Sequence, residues 1–123
     1  MNLIYLVFDH SEDTEGVHTF EAMASVGPAQ WPALQAEVAQ VLGWAHRQFE
    51  GQRGCMDDGA DWDHELQGLC ELASVDELRF DPASGTLSSR LGAMGPPRHT
   101  VTLTLTGREA FALALRDALG LAD

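Results

Sequence analysis

Residues 31–49 read WPALQAEVAQVLGWAHRQF, and this stretch decides how the rest of the chain is arranged. Its apolar side chains recur every three or four residues, which is the spacing of one stripe along an α-helix. Pro32 suits the first helical turn, and Gly51 follows where a left-handed residue commonly ends a helix. A helix of about 19 residues is roughly 28 Å long, so it must cross a whole sheet. The stripe consists of Trp31, Leu34, Val38, Val41, Leu42, Ala45 and Phe49.

The segment before this helix contains two strand-like patterns. Residues 3–8, LIYLVF, form a continuous apolar run, which predicts a central strand covered on both faces. Residues 17–26 alternate between apolar and polar side chains, which predicts a half-buried strand. The polar residues 9–16 between them, DHSEDTEG, predict a loop.

The segment after the helix begins with residues 50–65, which lack periodicity and are rich in Gly and Asp, so they predict a long loop. Residues 92–98, GAMGPPR, predict an irregular connection. Thr106 and Glu109 match the capping box of a second helix that ends at Gly120. Strands are predicted at residues 66–73, 77–81, 86–91 and 99–106.

The resulting order, β-β-α-β-β-β-α, predicts an α+β fold with a mainly antiparallel sheet and two helices packed on one face. A chain of 123 residues suits one globular domain over residues 1–123. The strand directions place loops 9–16 and 50–65 at the same end, together with the start of the second helix and Arg108. We call these two loops the acidic rim.

The charge of the chain is unevenly distributed. It has 19 acidic and 7 basic side chains, a net of −12. Residues 1–77 hold 15 acidic and 2 basic side chains, a net of −13. Such a surface repels nucleic-acid phosphates and anionic membranes, so we expect neither partner. The acidic surface favours binding to a basic protein, a cationic ligand or a metal ion. The excess of acidic side chains is also explained by a requirement for solubility alone.

The acidic rim favours two functions, of which the first is a protein-interaction or regulatory module that binds a basic protein partner. Carboxylates around an aromatic side chain are common at interface hot spots. Trp62 is the aromatic residue here, and the alternative is that it folds back onto the edge of the sheet. The expected binding residues are Glu12, Asp13, Asp57, Asp58, Asp61, Trp62 and Asp63.

The alternative function is a divalent-metal-binding domain or a metal-dependent enzyme, because carboxylates and imidazoles are ligands for divalent cations. Residues 57–65, DDGADWDHE, do not match an EF-hand loop. No Ser, Cys or Lys stands in a nucleophile motif, so we expect a binding protein rather than an enzyme. We expect no cofactor other than a divalent cation. The candidate metal ligands are Asp9, His10, Asp61, Asp63 and His64.

The remaining expectations concern location and assembly. Residues 1–8 lack the basic segment of a signal peptide, so we expect a cytoplasmic protein of bacterial type with reduced Cys55 and Cys70. Cys70 is expected in the core. The threonine-lined face of strand 99–106, or an edge strand, allows a homo-oligomer. No motif resembles that of a known family.

Overall fold

The computed structural model describes residues 1–121. The predicted α+β fold and its element order are confirmed. Two helices and six strands, with one 3₁₀ turn at Met56–Asp58, make up this part of the chain. In chain order the elements are β1 (Asp9–Glu12), β2 (His18–Val26), α1 (Trp31–Gln48), β3 (Trp62–Glu71), β4 (Ser74–Asp81), β5 (Thr86–Met94), β6 (Arg98–Gly107) and α2 (Glu109–Leu119).

The strands form two separate antiparallel sheets. The larger sheet has the order β1-β2-β6-β3, and the smaller one is the β4–β5 hairpin alone. We call residues 74–94 the arm and the remainder of the described chain the body. His18 and Trp62 both lie opposite Gly107, so the starts of β2 and β3 and the end of β6 share one end of the body.

The body is held together by one apolar cluster between the larger sheet and the two helices. Alternation along β6 points Val101, Leu103 and Leu105 inward, whereas the intervening threonines remain partly exposed. Both helices cover this same inward face, as predicted. The rings of Trp62 and Phe111 stack at a centroid distance of 5.4 Å and close the core at the acidic end.

The first predicted strand is wrong, because residues 3–8 are not part of a sheet. The backbone N–H groups of Ile4, Tyr5 and Leu6 instead donate to the carboxylate of Glu37 on α1, at 2.8–3.2 Å. Backbone donors taken by a side chain cannot also pair with a strand. The neighbouring polar residues, which we predicted as loop, form β1 at Asp9–Glu12 by pairing with β2.

Several boundaries also differ from the prediction. β3 begins at Trp62 rather than at residue 66, because its pairing with β6 continues to Gly107. β5 extends to Met94, into the segment predicted as irregular. The predicted capping box is absent, since no side chain caps α2 at its N-cap residue Arg108. Gly120 ends α2 with φ 72°, as predicted.

Candidate functional site

The acidic rim lies at one end of the body, where the sequence predicted it. Arg108, at the start of α2, organises the loop before β3. Its Nε donates to the carbonyl of Ala60 at 3.1 Å and its Nη2 to the carbonyl of Met56 at 2.8 Å. Its backbone N–H donates to the carbonyl of Asp61 at 3.0 Å. The guanidinium therefore orders the loop through backbone carbonyls rather than through the carboxylates of the rim.

The carboxylates of the rim have different roles in the structure. Asp57, Asp58 and Asp61 are exposed. Asp13 accepts hydrogen bonds from the backbone N–H groups of residues 15 and 17 and so stabilises the turn before β2. Asp63 forms an ion pair with Arg53 at 2.9 Å. The loop before β3 therefore presents three exposed carboxylates close together in sequence.

Trp62 is a core residue rather than a surface residue. It is fully buried, and its Nε1 donates to the carbonyl of Phe49 at 3.2 Å. Of the two interpretations left open by the sequence, the structure favours the one in which the indole folds onto the sheet. The indole is therefore not presented to a protein partner in this conformation.

The five predicted metal ligands are not brought together. Asp9 and His10 lie on β1, whereas Asp63 and His64 lie on β3, and Asp61 immediately precedes β3. β1 and β3 are the opposite edges of the four-stranded sheet, three strand spacings or about 14 Å apart. One metal ion therefore cannot reach all five of these residues.

His64 is notable because its Nδ1 is buried without a hydrogen-bond partner. Burial lowers the pKa of His64, and the positive charges of Arg53 and His46 lower it further, against the opposing effect of Asp63. The neutral imidazole is therefore the form that this site stabilises.

A different group of side chains does converge at the acidic end, and we call it the His18 cluster. It consists of Glu12, His18 and Glu109, with His10 behind them. His18 is buried, with 3% of its surface exposed. Its Nε2 lies 2.7 Å from Oε2 of Glu109 and 3.5 Å from Oε1 of Glu12. Its Nδ1 lies 2.8 Å from Nε2 of His10.

The fold positions each member of the His18 cluster. Glu12 of β1 lies directly opposite His18 of β2, so their side chains share a face. Glu109 is the first residue of α2 and follows the end of β6 closely. A Cβ at Gly107 would lie only 2.2 Å from the ring of Phe111, so glycine permits the tight turn that brings α2 over the sheet.

His10 completes the cluster from the side. Its ring stacks on Phe20 at a centroid distance of 4.4 Å. Burial lowers the pKa of His10, and the neighbouring His18 and Arg116 lower it further, against the opposing effects of Glu12 and Glu109. The neutral His10 can accept a hydrogen bond at Nε2 from Nδ1–H of His18.

The hydrogen bonds of His18 can be made by either of its neutral tautomers. In one tautomer Nε2–H donates to Glu109 and Nδ1 accepts from His10. In the other, Nδ1–H donates to His10 and the Nε2 lone pair faces the two carboxylates, an arrangement that a shared cation would stabilise. One ligand atom from each of Glu12, His18 and Glu109 lies within 4.8 Å of the other two, so one metal ion can reach all three.

Sequence reasoning missed His18 and misassigned Glu109. His18 has the same parity along β2 as Phe20 and Ala22, which places it on the inward face, and an inward-facing histidine needs partners. That signal was available in the sequence. Glu109 was assigned to a capping box, and only the pairing of β2 with β6 shows that its carboxylate reaches His18.

Comparisons with known proteins do not identify a family or a function for this chain. No protein-family model matches the chain, and neither a curated protein nor a solved structure is significantly similar to it. None of the helices within residues 1–121 has the length and apolar character required to span a bilayer.

Proposed function

We propose that this protein binds a divalent transition-metal ion at the His18 cluster, with Glu12, His18 and Glu109 as ligands. The observation that supports this proposal is the convergence of two carboxylates on one nitrogen of a buried imidazole. A single N–H can satisfy only one of these carboxylates well, as the distances of 2.7 and 3.5 Å illustrate. A metal ion can bind both carboxylates and the nitrogen at once.

His10 has the position of an outer-shell partner. Metal-ligating histidines usually donate their second ring N–H to an acceptor, which fixes the tautomer and the ring orientation. His10 lies within hydrogen-bond distance of the second nitrogen of His18. A neutral His10 in the Nδ1–H tautomer can accept that N–H at its Nε2. His10 therefore orients His18 and does not itself contact the metal.

The donor set indicates the class of metal. Imidazole with two carboxylates suits Zn²⁺, Co²⁺ or Mn²⁺ better than Ca²⁺ or Mg²⁺, which prefer oxygen ligands alone. Three protein ligands leave at least one coordination position for water or another ligand. Glu12 and Glu109 are on the solvent side, with 53% and 66% of their side chains exposed, so an ion can enter without unfolding the body.

The test is calorimetric titration of chelator-treated protein with Zn²⁺, Co²⁺, Mg²⁺ and Ca²⁺, together with thermal unfolding at matched ionic strength. At 100 times its Kd, a bound ion adds about 2.7 kcal/mol to the free energy of unfolding. For a chain of 123 residues this raises Tm by roughly 10 °C. We expect Zn²⁺ and Co²⁺ to produce this increase, and Mg²⁺ and Ca²⁺ to match the salt control.

Variants locate the site. Glu109→Gln and Glu12→Gln remove one ligand charge each from exposed side chains, so the fold is retained, and each should weaken Zn²⁺ binding at least tenfold. Glu21→Gln is the matched control, because it removes the same charge from an exposed position on β2. Equal weakening in all three variants, or equal shifts for all four cations, would contradict the proposal.

We propose a second function for the acidic rim, namely binding to a basic protein partner. The supporting observation is that Asp57, Asp58 and Asp61 are exposed on one loop that Arg108 holds in place. Pre-ordered charge of one sign accelerates encounter with a partner of the opposite sign. The same charge disfavours nucleic acid.

A cytoplasmic location agrees with the free thiols of Cys55 and Cys70 and stays a prediction.

An oligo-arginine peptide is a suitable probe for this second function. We expect it to bind with an affinity that falls steeply with salt, and the triple variant Asp57→Asn, Asp58→Asn, Asp61→Asn should remove most of that binding. The control triple variant Glu71→Gln, Glu77→Gln, Asp117→Asn removes the same charge elsewhere and should retain it. If both variants lose binding equally, only net charge matters and the rim is not a specific site.

A further inference from the structure

The arm is an amphipathic hairpin. In its register Phe80 lies opposite Leu87, and Asp76 lies opposite Leu91, so these residues share one face with Leu78. The other face carries polar cross-strand pairs, among them residues 77 and 90, 79 and 88, and 81 and 86. The arm therefore has one apolar face and one polar face.

Neither face of the arm is covered. Every residue of β4 is exposed, and Leu78, Phe80, Leu87 and Leu91 retain 60–74% of their accessible surface. An isolated two-stranded hairpin is at best marginally stable in water, and an uncovered apolar face adds to that instability. The apolar face therefore indicates a partner.

The body of the same chain does not supply that cover. Only residues 72–73 connect β3 to β4, and only residues 95–97 connect β5 to β6. The Gly95 N–H donates to the Ala73 carbonyl at 2.7 Å, which holds the base of the arm together. These short, bonded connections direct the arm away from the sheet.

A complementary apolar groove lies on the body. It has a volume of about 450 Å³ and runs between α1 and β3, which is an edge strand of the larger sheet. Trp31, Val38, Leu66 and Val101 line it. Gly68 also lines it, and a Cβ added at Gly68 meets no atom within 4 Å, so the floor of the groove is open.

The exposed apolar area on the arm face and in the groove has the size of a small dimer interface. A fully exposed Leu or Phe side chain offers roughly 60–120 Å², and the five residues on these two surfaces are about three-fifths exposed, which gives roughly 280 Å² per copy. Small interfaces bury less than about 600 Å² per partner, of which about 57% is apolar. The five are Leu66, Leu78, Phe80, Leu87 and Leu91.

Charge also permits this contact. Residues 74–94 contain three acidic and two basic side chains, a net of −1, which leaves −11 for the rest of the chain. Two bodies of that charge repel each other, whereas an almost neutral arm can approach a second body with little electrostatic cost.

We propose that a second copy of this chain covers the arm, and that each copy lays the apolar face of its arm in the α1–β3 groove of the other. Such a reciprocal exchange is a closed two-fold arrangement, which is the commonest symmetry of soluble homo-oligomers. It covers the arm and the groove together in both copies.

Sedimentation equilibrium of the full chain tests this arrangement. We expect the wild type to be a dimer, and the arm variant Phe80→Asp, Leu87→Asp to be a monomer whose circular dichroism shows a folded body. Ser88→Asp adds one of these two charges, on the polar face of the arm, and should remain dimeric. Gly68→Glu adds a charged side chain to the lining of the groove, at a position where an added Cβ meets no atom within 4 Å, and should weaken dimerisation at least tenfold.

Mixing the variants makes the test specific for the exchange. The Gly68→Glu chain has an intact arm, and the Phe80→Asp, Leu87→Asp chain has an intact groove, so a mixture should form heterodimers more readily than either chain forms homodimers. A monomeric wild type, or a dimer that persists in the arm variant, would overturn the proposal. A mixture with no more dimer than its components would overturn the arm-in-groove arrangement.

Discussion

The body and the arm both contain strands with one apolar face, but that face is buried in the body and exposed in the arm. In β6 of the body, Val101, Leu103 and Leu105 alternate with threonine, and all three are buried because the two helices cover them. In the arm, Phe80 and Leu87 also face one side, yet each remains at least 60% exposed. Alternation therefore shows that a face needs cover but does not identify the element or molecule that covers it.

The comparison is tested most strongly by truncating one leucine in each region. Leu103→Ala should reduce the free energy of unfolding by about 2–5 kcal/mol, because it leaves a cavity in a packed core. Leu87→Ala should cost less than about 0.5 kcal/mol in dilute, monomeric protein, because its side chain is already in water. Urea unfolding measures both values, and similar losses would show that the arm is covered within one chain.

The N-terminal segment of the body depends on one buried carboxylate. Glu37→Ala should cost about 3 kcal/mol, because the N–H groups of residues 4–6 lose their acceptor while partly buried. Glu37→Gln keeps one acceptor oxygen and should cost less. Urea unfolding of both variants checks the order, and equal losses would indicate that side-chain volume rather than hydrogen bonding matters at this position.

Two strand glycines offer a finer comparison between a closed and an open site. Gly107→Ala should cost about 1–3 kcal/mol, since the new methyl group collides with Phe111 in the core. Gly68→Ala adds the same methyl group to an open groove and should have almost no effect on the monomer. Thermal unfolding in dilute solution separates the two, and a loss at Gly68 equal to that at Gly107 would contradict the open groove.

The smallest expected effect is a pH dependence that belongs to the body. The folded protein lowers the pKa of His64 below its ordinary value of about 6.5. At pH values between the folded-state pKa and 6.5, the unfolded chain therefore binds more protons than the folded protein. The free energy of unfolding should therefore fall as the pH is lowered through 6.5, and level off below the folded pKa. Measured in chelator, His64→Gln should reduce this slope, leaving the part due to His10, whereas Leu87→Ala should not change it.

Much of the fold follows from local pattern. The stripe of residues 31–49 predicted α1 to within one residue at its end, and alternation predicted the threonine-lined strand β6. The directions of β2 and α1 predicted that the turn before β2 and the loop after α1 share one end of the body, and both His18 and Trp62 lie opposite Gly107. These predictions succeed because periodicity and turn residues act over a few neighbouring positions.

The errors share a physical cause, which is that the partner lies far away in sequence. Residues 3–8 are apolar enough for a strand, but their N–H groups bind Glu37. Cys70 was expected in the core and is exposed, because β3 is an edge strand whose residues from Glu65 onward are all uncovered. The His18 cluster joins residues from β1, β2 and α2, and no local pattern reports that convergence.

The most direct test of the difference between the two regions is amide hydrogen exchange measured over a range of protein concentrations. Our account predicts that the amides of β2 and β6 are protected at every concentration. The amides of β4 and β5 should exchange rapidly in dilute solution and become protected as the concentration rises and a second copy covers the arm. Arm protection that equals that of the body and does not change with concentration would contradict the account, as would an arm that stays unprotected throughout.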